Sequence, residues 1–180
     1  MDGGVIQEAS RIALEAGTRP GDVLATIAEA GLGVPAVVMT YYNPVLRHGE
    51  GRFLADAAEA GVRGAIVPDL PIDEAEAWLH GCQAHGLDAV FLAAPGSSAE
   101  RYHEVAAAAT GFVYCVATYG VTGERPRLSR TAEEVIGALR PLTDLPLLVG
   151  VGIGTPEQAA DARNLADGVI VGSAIVALLE

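Results

Sequence analysis

The 180-residue chain contains no lysine, and its 11 basic residues are all arginine. They stand against 23 acidic residues, which gives a net charge of −12. An acidic chain without basic clusters is not typical of proteins that bind nucleic acid or anionic membranes. A small phosphorylated ligand remains compatible with this composition, because backbone amides at helix N-termini bind phosphate without lysine.

Cysteines and long apolar runs are also scarce. Cys82 and Cys115 are far apart and form no CxxC or metal-binding pattern, so we expect a reduced, cytoplasmic protein without a metal. No run approaches the roughly 18 apolar residues of a membrane span. The N-terminus reads Met-Asp-Gly-Gly and does not resemble a signal peptide.

Short apolar runs alternate with helical patterns along the chain. The runs predict strands at 35–40, 64–67, 89–93, 112–116, 146–150 and 168–171. Helical spacing predicts helices at 5–16, 20–30, 51–60, 73–85, 98–109, 131–140 and 155–163, with one more from Gly172. No linker interrupts the series, so we expect an α/β fold with a parallel sheet in a single domain, 1–180. An open sheet and a (β/α)8 barrel both fit, and a length below the roughly 200 residues of a small barrel favours the open sheet.

The last two predicted strands each run into a glycine-containing turn and a helix start. The first turn contains Gly152, and the second contains Gly172 and Ser173. Glycine lets the backbone approach a ligand, and the amides at a helix N-terminus attract an anion. Two such turns after consecutive strands are typical of the phosphate site of many barrels. The alternative is that the glycines only permit tight turns.

A polar segment from Gly120 to Leu128 follows the strand predicted at 112–116. Composition alone allows either a lid over a phosphorylated ligand or an ordinary flexible loop. Asp69, between two prolines at a strand end, is either a site residue or a turn cap. We expect His48 to be exposed in a loop and Trp78 to pack in the core.

Six motifs, in order, resemble the tryptophan synthase alpha subunit family along essentially the whole chain. They are Asp-Gly-x-Val-Ile-Gln at 2–7, Met-Thr-Tyr-Tyr-Asn-Pro-Val at 39–45, Val-Pro-Asp-Leu-Pro at 67–71, Tyr-Cys-Val at 114–116 leading to Gly-Val-Thr-Gly at 120–123, Gly-Val-Gly-Ile at 150–153, and Gly-Ser-Ala-Ile-Val at 172–176. The resemblance implies a TIM (β/α)8 barrel, incomplete here, with about six βα units that correspond to strands 3–8.

The resemblance also implies a function. Members of the family are lyases of tryptophan biosynthesis that cleave indole-3-glycerol phosphate to indole and glyceraldehyde 3-phosphate by a retro-aldol reaction. The alpha subunit carries no cofactor, and indole passes through a tunnel to a beta subunit that uses pyridoxal phosphate.

Individual residues match positions of known role in that family. Asp2 matches a catalytic carboxylate, and Tyr114 matches the tyrosine that faces the indole. The remaining matches are Thr122 and Gly123 in the lid, with Gly123 also near phosphate, Val151 and Ile170 in the pocket, Gly152, Gly172 and Ser173 at the phosphate, and Tyr42, Asn43 and Pro44 in a loop that faces the beta subunit.

The chain also departs from the family pattern. Gly4 stands where proline is usual, and Ala117 stands where serine is common. The family's principal catalytic glutamate lies on the strand ahead of the aspartate matched by Asp2, and the chain begins just before that aspartate. We therefore expect the chain alone to cleave poorly and, with unpaired strand edges, to be unstable or to associate. The alternative function is a non-catalytic module of the same fold that binds phosphate or the beta subunit.

Overall fold

A computed structural model of the chain describes residues 4–116, 119–120, 127–128, 130–150 and 152–178. The helices are α1 (Gly4–Glu15), α2 (Pro20–Ala30), α3 (Tyr42–His48), α4 (Glu50–Glu59), α5 (Glu76–His85), α6 (Ala99–Ala108), α7 (Arg130–Leu139), α8 (Pro156–Arg163) and α9 (Ser173–Val176), and a 3₁₀ turn covers Ile72–Glu74. The strands are β1 (Ala36–Met39), β2 (Val62–Ile66), β3 (Asp88–Ala93), β4 (Val113–Val116), β5 (Tyr119–Gly120), β6 (Arg127–Leu128), β7 (Leu147–Gly150) and β8 (Gly168–Val169).

One compact unit comprises Ala13–Phe91 and Ala108–Gly111. Its strands β1, β2 and β3 are parallel, with Met39 opposite Ile66 and Ile66 opposite Val90. Its most deeply buried side chains include Leu54, Val62 and Trp78. Gly64, Ala65 and Ile66 of β2 are consecutive and all buried, so both faces of the strand are covered there, whereas Arg63 near its start is exposed.

The other compact unit comprises Met1–Ile12, Leu92–Ala107 and Phe112–Glu180. Its strands β4, β7 and β8 are parallel, and its buried core includes Val113, Leu139 and Leu147. A separate antiparallel pair joins β5 to β6, with Gly120 opposite Arg127. The two ends of the polar segment at 120–128 therefore form a two-stranded ribbon.

Helix starts and stops follow the chemistry of single residues. Helix α2 has Pro20 at its first position, Asp22 Oδ2 accepts a hydrogen bond from Arg19 N at 2.7 Å, and the helix ends at Gly31 with a φ of 54°. A proline at the first position and a left-handed glycine at the end are favourable at these places. The predicted bounds of 20–30 are thereby confirmed.

Three sequence-based predictions differ from the structure. The predicted loop at Tyr42, Asn43 and Pro44 is the first turn of α3; a proline is tolerated there because first-turn amides have no helical partner. His48 is not exposed, since 16% of its side chain is accessible and Nε2 lies 2.7 Å from Asp56 Oδ2. The predicted helix at 73–85 begins at Glu76, after the 3₁₀ turn.

Within the part of the chain that the structure describes, no helix is long and apolar enough to cross a membrane. Trp78 packs in the core as predicted, with 2% of its surface exposed.

Candidate functional site

The residues predicted to bind substrate cluster at the carboxyl ends of three neighbouring parallel strands. β4 pairs with β7, and β7 pairs with β8, so the turns that follow β7 and β8 lie at the same edge. Tyr114, Gly152, Ile170, Gly172 and Ser173 belong to these strands and turns. Asp2, Thr122, Gly123 and Val151 lie outside the described residues.

Tyr114 leans over Gly150 of the adjacent strand. Tyr114 is opposite Leu148 in the ladder, which places Gly150 two residues further toward the carboxyl end. A Cβ atom built on Gly150 would lie 2.2 Å from Tyr114 Oη and 2.3 Å from its Cζ, far inside van der Waals contact. The missing side chain at Gly150 is therefore what lets the tyrosine ring occupy this position.

Tyr114 is almost fully buried, with 6% of its surface exposed. Burial raises the pKa of its hydroxyl above the ordinary value of 10, because the charged phenolate would be poorly solvated there. The side chain is therefore a neutral phenol at physiological pH, able to donate or accept a hydrogen bond.

The turn between β7 and α8 uses most of its amides internally. Gly152 has a φ of 82°, so its conformation alone explains the glycine. Thr155 Oγ1 accepts a hydrogen bond from Gln158 N at 3.3 Å, and Gln158 Oε1 accepts from Gly154 N at 2.7 Å and from Thr155 N at 3.2 Å. This capping box occupies the N-terminus of α8. Any amide that this turn offers to a ligand therefore lies ahead of the helix, in the stretch that contains Gly152.

The turn between β8 and α9 is built differently. Ile170 N donates to Val149 O at 2.8 Å, which extends the strand pairing one residue beyond β8. Gly172 occupies the N-cap position of α9 and has no side chain with which to cap the helix. Ile175 N already donates to Gly172 O at 2.9 Å, whereas the first two amides of a helix have no partner within it. Ser173 is exposed beside them. This turn presents donors of the kind that bind an anion.

Within the described part of the chain, neither a left-handed φ nor a close contact accounts for the glycine at position 172. Its φ of −111° lies outside the left-handed region that favours glycine. Among the residues that the structure describes, the one atom within 4 Å of a Cβ built there is Ile6 Cδ1, at 3.8 Å, which is an ordinary contact. A ligand lying against the backbone would require glycine at this position. The tight-turn interpretation suffices for Gly152, whereas Gly172, with a φ of −111° and a ψ of −88° outside the helical and extended regions, is compatible with both interpretations.

The contact between Ile6 and the Cβ built on Gly172 also shows that helix α1 lies next to this turn. Ile6 lies in the first helical residues of α1 and belongs to the Asp-Gly-x-Val-Ile-Gln motif. The motif at the start of the chain and the Gly-Ser motif near its end therefore meet in space, as expected if both contribute to one site.

An ion pair between Arg140 and Asp167 lies at the opposite, amino-terminal ends of β7 and β8. Asp167 Oδ2 accepts hydrogen bonds from Arg140 Nη1 at 2.7 Å and from Leu147 N at 2.8 Å. The Arg140 guanidinium, and after it the Leu147 amide, lowers the pKa of the Asp167 carboxyl. In parallel barrels this end of the strands contributes to stability rather than to chemistry.

The segment predicted to face a partner occupies the first turn of α3, in the other unit. Asn43 is exposed, whereas Tyr42 and Pro44 are half-buried. The Tyr42 ring stands edge-on to Trp78 with centroids 6.4 Å apart, and its hydroxyl is hydrogen-bonded to Glu50. That bond and burial raise the pKa of Tyr42 to about 12.

Two residues near these sites were not assigned a definite place from the sequence. Gly150 contacts Tyr114 only because of the strand register, for which the sequence offers no local signal. The sequence alone allows Asp69 to be either a site residue or a turn cap. In the structure its Oδ1 accepts a hydrogen bond from Tyr42 N at 2.8 Å. Asp69 thus caps a helix of the neighbouring βα unit rather than its own turn.

Metal and thiol chemistry have little support in the described residues. Among them, no group of three or more His, Cys, Asp or Glu side chains is placed to hold a metal ion. Cys82 and Cys115 are buried free thiols, and burial raises the pKa of each to about 12. Such thiols are not reactive nucleophiles.

Comparison with known proteins gives one consistent result. The family model described as "Tryptophan synthase alpha chain" matches residues 1–180. A curated relative of that name from Streptomyces avermitilis is 47% identical over 181 residues, which is 99% of this chain and 65% of the relative. One from Acidothermus cellulolyticus is 50% identical over 177 residues, which is 98% of this chain and 66% of the relative. The chain therefore spans about two thirds of the length of the curated relatives that it matches.

Solved structures agree with the sequence matches. A crystal structure of tryptophan synthase from M. tuberculosis superposes with a TM-score of 0.90 at 43% identity, covering 99% of this chain and 68% of that one. A structure of the tryptophan synthase a2b2 complex from Pyrococcus furiosus superposes with a TM-score of 0.88 at 36% identity, covering 99% of this chain and 73% of that one.

Proposed function

The chain belongs to the tryptophan synthase alpha chain family, and from this premise we propose that the protein is the alpha-chain lyase of tryptophan biosynthesis. The proposed reaction is the retro-aldol cleavage of indole-3-glycerol phosphate to indole and glyceraldehyde 3-phosphate. The proposed partner is a beta subunit that uses pyridoxal phosphate, while this chain works without a cofactor of its own. The proposed setting is the cytoplasm.

The phosphate of the substrate is proposed to bind at the start of α9. The observation that carries the proposal is the exposed Gly172–Ser173 turn at the start of α9, where the nearest described atom lies 3.8 Å from a Cβ built on Gly172. An anion there would accept hydrogen bonds from the first-turn amides and the Ser173 hydroxyl, and the helix dipole would add to the attraction. The amide of Gly152 would supply a donor from the preceding turn.

The indole ring is proposed to lie beside Tyr114, with Ile170 and Val151 as apolar neighbours. Two observations support this arrangement: Tyr114 is a neutral phenol in β4, and Ile170 is half-buried directly after β8, two strands away in the sheet. Thr122 and Gly123 are proposed to close over the substrate; in the sequence they lie between β5 and β6, which pair with each other.

Cleavage of the C–C bond requires protonation of indole C3 and removal of a proton from the C3′ hydroxyl of the glycerol chain. Asp2 is proposed to stabilise the positive charge that develops at the indole N–H. The proximity of Ile6, four residues along the chain, to Gly172 supports this role. The family assigns the main proton transfers to a glutamate ahead of the position that Asp2 matches.

A second candidate function is a phosphate-binding or beta-subunit-binding module of the same fold without catalysis. One observation favours it: the exposed Ser173 and the glycine N-cap of α9 offer donors to a phosphate without needing any catalytic group.

The test is indole release from indole-3-glycerol phosphate, measured with the beta subunit of the same source present. Ser173→Ala removes one hydrogen bond to a charged group, which is worth about 1.5–3 kcal/mol, so KM should rise by roughly 10- to 150-fold. Gly172→Ala should raise KM as well, because its Cβ would stand against the bound phosphate. Both positions are exposed, so the free energy of unfolding should change by less than about 0.5 kcal/mol.

Ser10→Ala, at an exposed serine of α1, is the matched control and should keep the wild-type KM. Wild-type KM in both site variants would contradict the phosphate assignment. Absence of turnover in the wild type, together with calorimetric binding of glycerol 3-phosphate that the Ser173 variant loses, would establish the module instead of the enzyme.

A further inference from the structure

Helix α3 begins with a residue that cannot cap it. Tyr41 occupies the N-cap position and makes no side-chain hydrogen bond to the helix. Pro44, the third residue of α3, has no amide hydrogen, which removes one of the donors that the first turn would otherwise leave unpaired. The first turn therefore depends on another part of the chain to bind the amide of Tyr42.

Asp69 supplies that partner from the next βα loop. Its Oδ1 accepts a hydrogen bond from Tyr42 N at 2.8 Å. A carboxylate at this place also interacts favourably with the positive end of the helix dipole. The interaction joins two consecutive βα loops at the carboxyl ends of β1 and β2.

The backbone between the two loops keeps Asp69 within reach. Beyond the end of β1, Thr40 N still donates to Ile66 O at 3.1 Å, so the segments that follow β1 and β2 leave the sheet side by side. The Asp69 turn is anchored by Leu70, which is 6% exposed and donates its amide to Val67 O at 3.2 Å. Prolines on both sides of this turn limit its conformations further. Asp69 is thus presented from a restrained loop.

We propose that Asp69 is a positioning residue for the partner-facing segment: its carboxylate holds Tyr42, Asn43 and Pro44 in the arrangement that a beta subunit binds. This inference rests on the proposed function, which makes the segment an interface. When Asp69 is lost, the first turn of α3 frays, so only a fraction of the molecules is in the conformation that binds the beta subunit. The apparent affinity for the beta subunit is then reduced in proportion to that fraction. The Tyr42 ring and hydroxyl contacts remain, so the segment loosens rather than unfolds.

The test is calorimetric titration of the protein with the beta subunit of its own source. Asp69→Ala should weaken binding by about fivefold, which corresponds to the typical loss of a helix cap. Asp69→Asn keeps an oxygen acceptor at the same place and should bind within about twofold of the wild type. Glu59→Ala, which removes an exposed carboxylate from the far end of α4, controls for the change in net charge and should leave binding unchanged.

Hydrogen exchange at the Tyr42 amide provides a readout that does not depend on the partner. It should be about fivefold faster in Asp69→Ala and near the wild-type rate in Asp69→Asn. Asp69→Ala binding as tightly as the wild type would overturn the proposal. Equal weakening in Asp69→Ala and Asp69→Asn would also overturn it, because the charge and not the cap would then matter. If the wild type itself does not bind the beta subunit, the proposed partner is wrong, and the exchange rates still report whether the cap exists.

Discussion

The contact between Tyr114 and Gly150 is the most sensitive steric point of the candidate site. Gly150→Ala adds a single Cβ atom, which would lie 2.2 Å from Tyr114 Oη, 2.3 Å from Cζ and 2.6 Å from Cε1. Three ring atoms would have to move by about 1 Å to restore contact distances near 3.5 Å. Tyr114 is only 6% exposed, so packed neighbours oppose much of this movement.

Overpacking of this kind costs roughly 1–3 kcal/mol of folding free energy. The tyrosine must also leave the position in which it is proposed to meet the indole, so catalysis should fall by more than stability does. A displacement of about 1 Å in a positioning group can cost on the order of 100-fold in rate. We therefore expect Gly150→Ala to lower kcat/KM for indole release by about that factor.

The assay pairs indole release with urea unfolding in a double-mutant cycle. Tyr114→Leu removes the clashing ring atoms, so adding Gly150→Ala to it should cost much less than adding it to the wild type. Gly137→Ala is the matched glycine control. It lies in α7, where no described atom is within 4 Å of a built Cβ, and should raise stability by about 0.5–1 kcal/mol.

Additive effects of Gly150→Ala and Tyr114→Leu, within about 0.5 kcal/mol, would refute the steric argument. So would wild-type stability and activity in Gly150→Ala alone. Either result would mean that the ring has another place to go and that Gly150 does not position it.

The remaining predictions concern pH. Arg140 lowers the Asp167 pKa below its ordinary 3.8, so this ion pair stabilises the fold above pH 3.8, and the contribution is lost as the pH falls through the lowered pKa. The Tm difference between the wild type and Asp167→Asn should therefore shrink on acidification. A Tm difference that stays constant would contradict the assignment. Tyr42 should ionise at about 12 because of its bond to Glu50, so its contribution is complete below pH 10 and lost as pH rises through about 12. Ultraviolet titration should show this late phenol in the wild type and lose it in Tyr42→Phe; no difference between the two titrations would disprove the assigned bond.

The alternation of strands and helices could be predicted because each element has a local signature. Buried parallel strands leave short apolar runs, and α2 begins at a proline and ends before a glycine. The family match and the solved relatives confirm the barrel fold class with six βα units and show that the open sheet favoured by length was the wrong choice. That residues 1–180 form a single domain stays a prediction.

The first turn of α3 could not be predicted because its support is not local. Tyr42, Asn43 and Pro44 are residue types that favour turns, and the helix there is stabilised by Trp78 and Asp69, which lie far along the chain. The same holds for the candidate site. The glycine turns are visible in the sequence, but the contact of Tyr114 with Gly150 and the approach of Ile6 to Gly172 depend on strand register and helix packing.

The two turns after β7 and β8 show how differently a helix N-terminus can be completed. Thr155 and Gln158 cap α8 from within the chain, whereas Gly172 has no side chain with which to cap α9. A serine or aspartate at position 172 would add a resident cap and stabilise the protein by about a few tenths of a kcal/mol. That cap would then compete with any incoming anion for the same amides. Under the proposed function, the glycine keeps these amides available to phosphate at a small cost in stability.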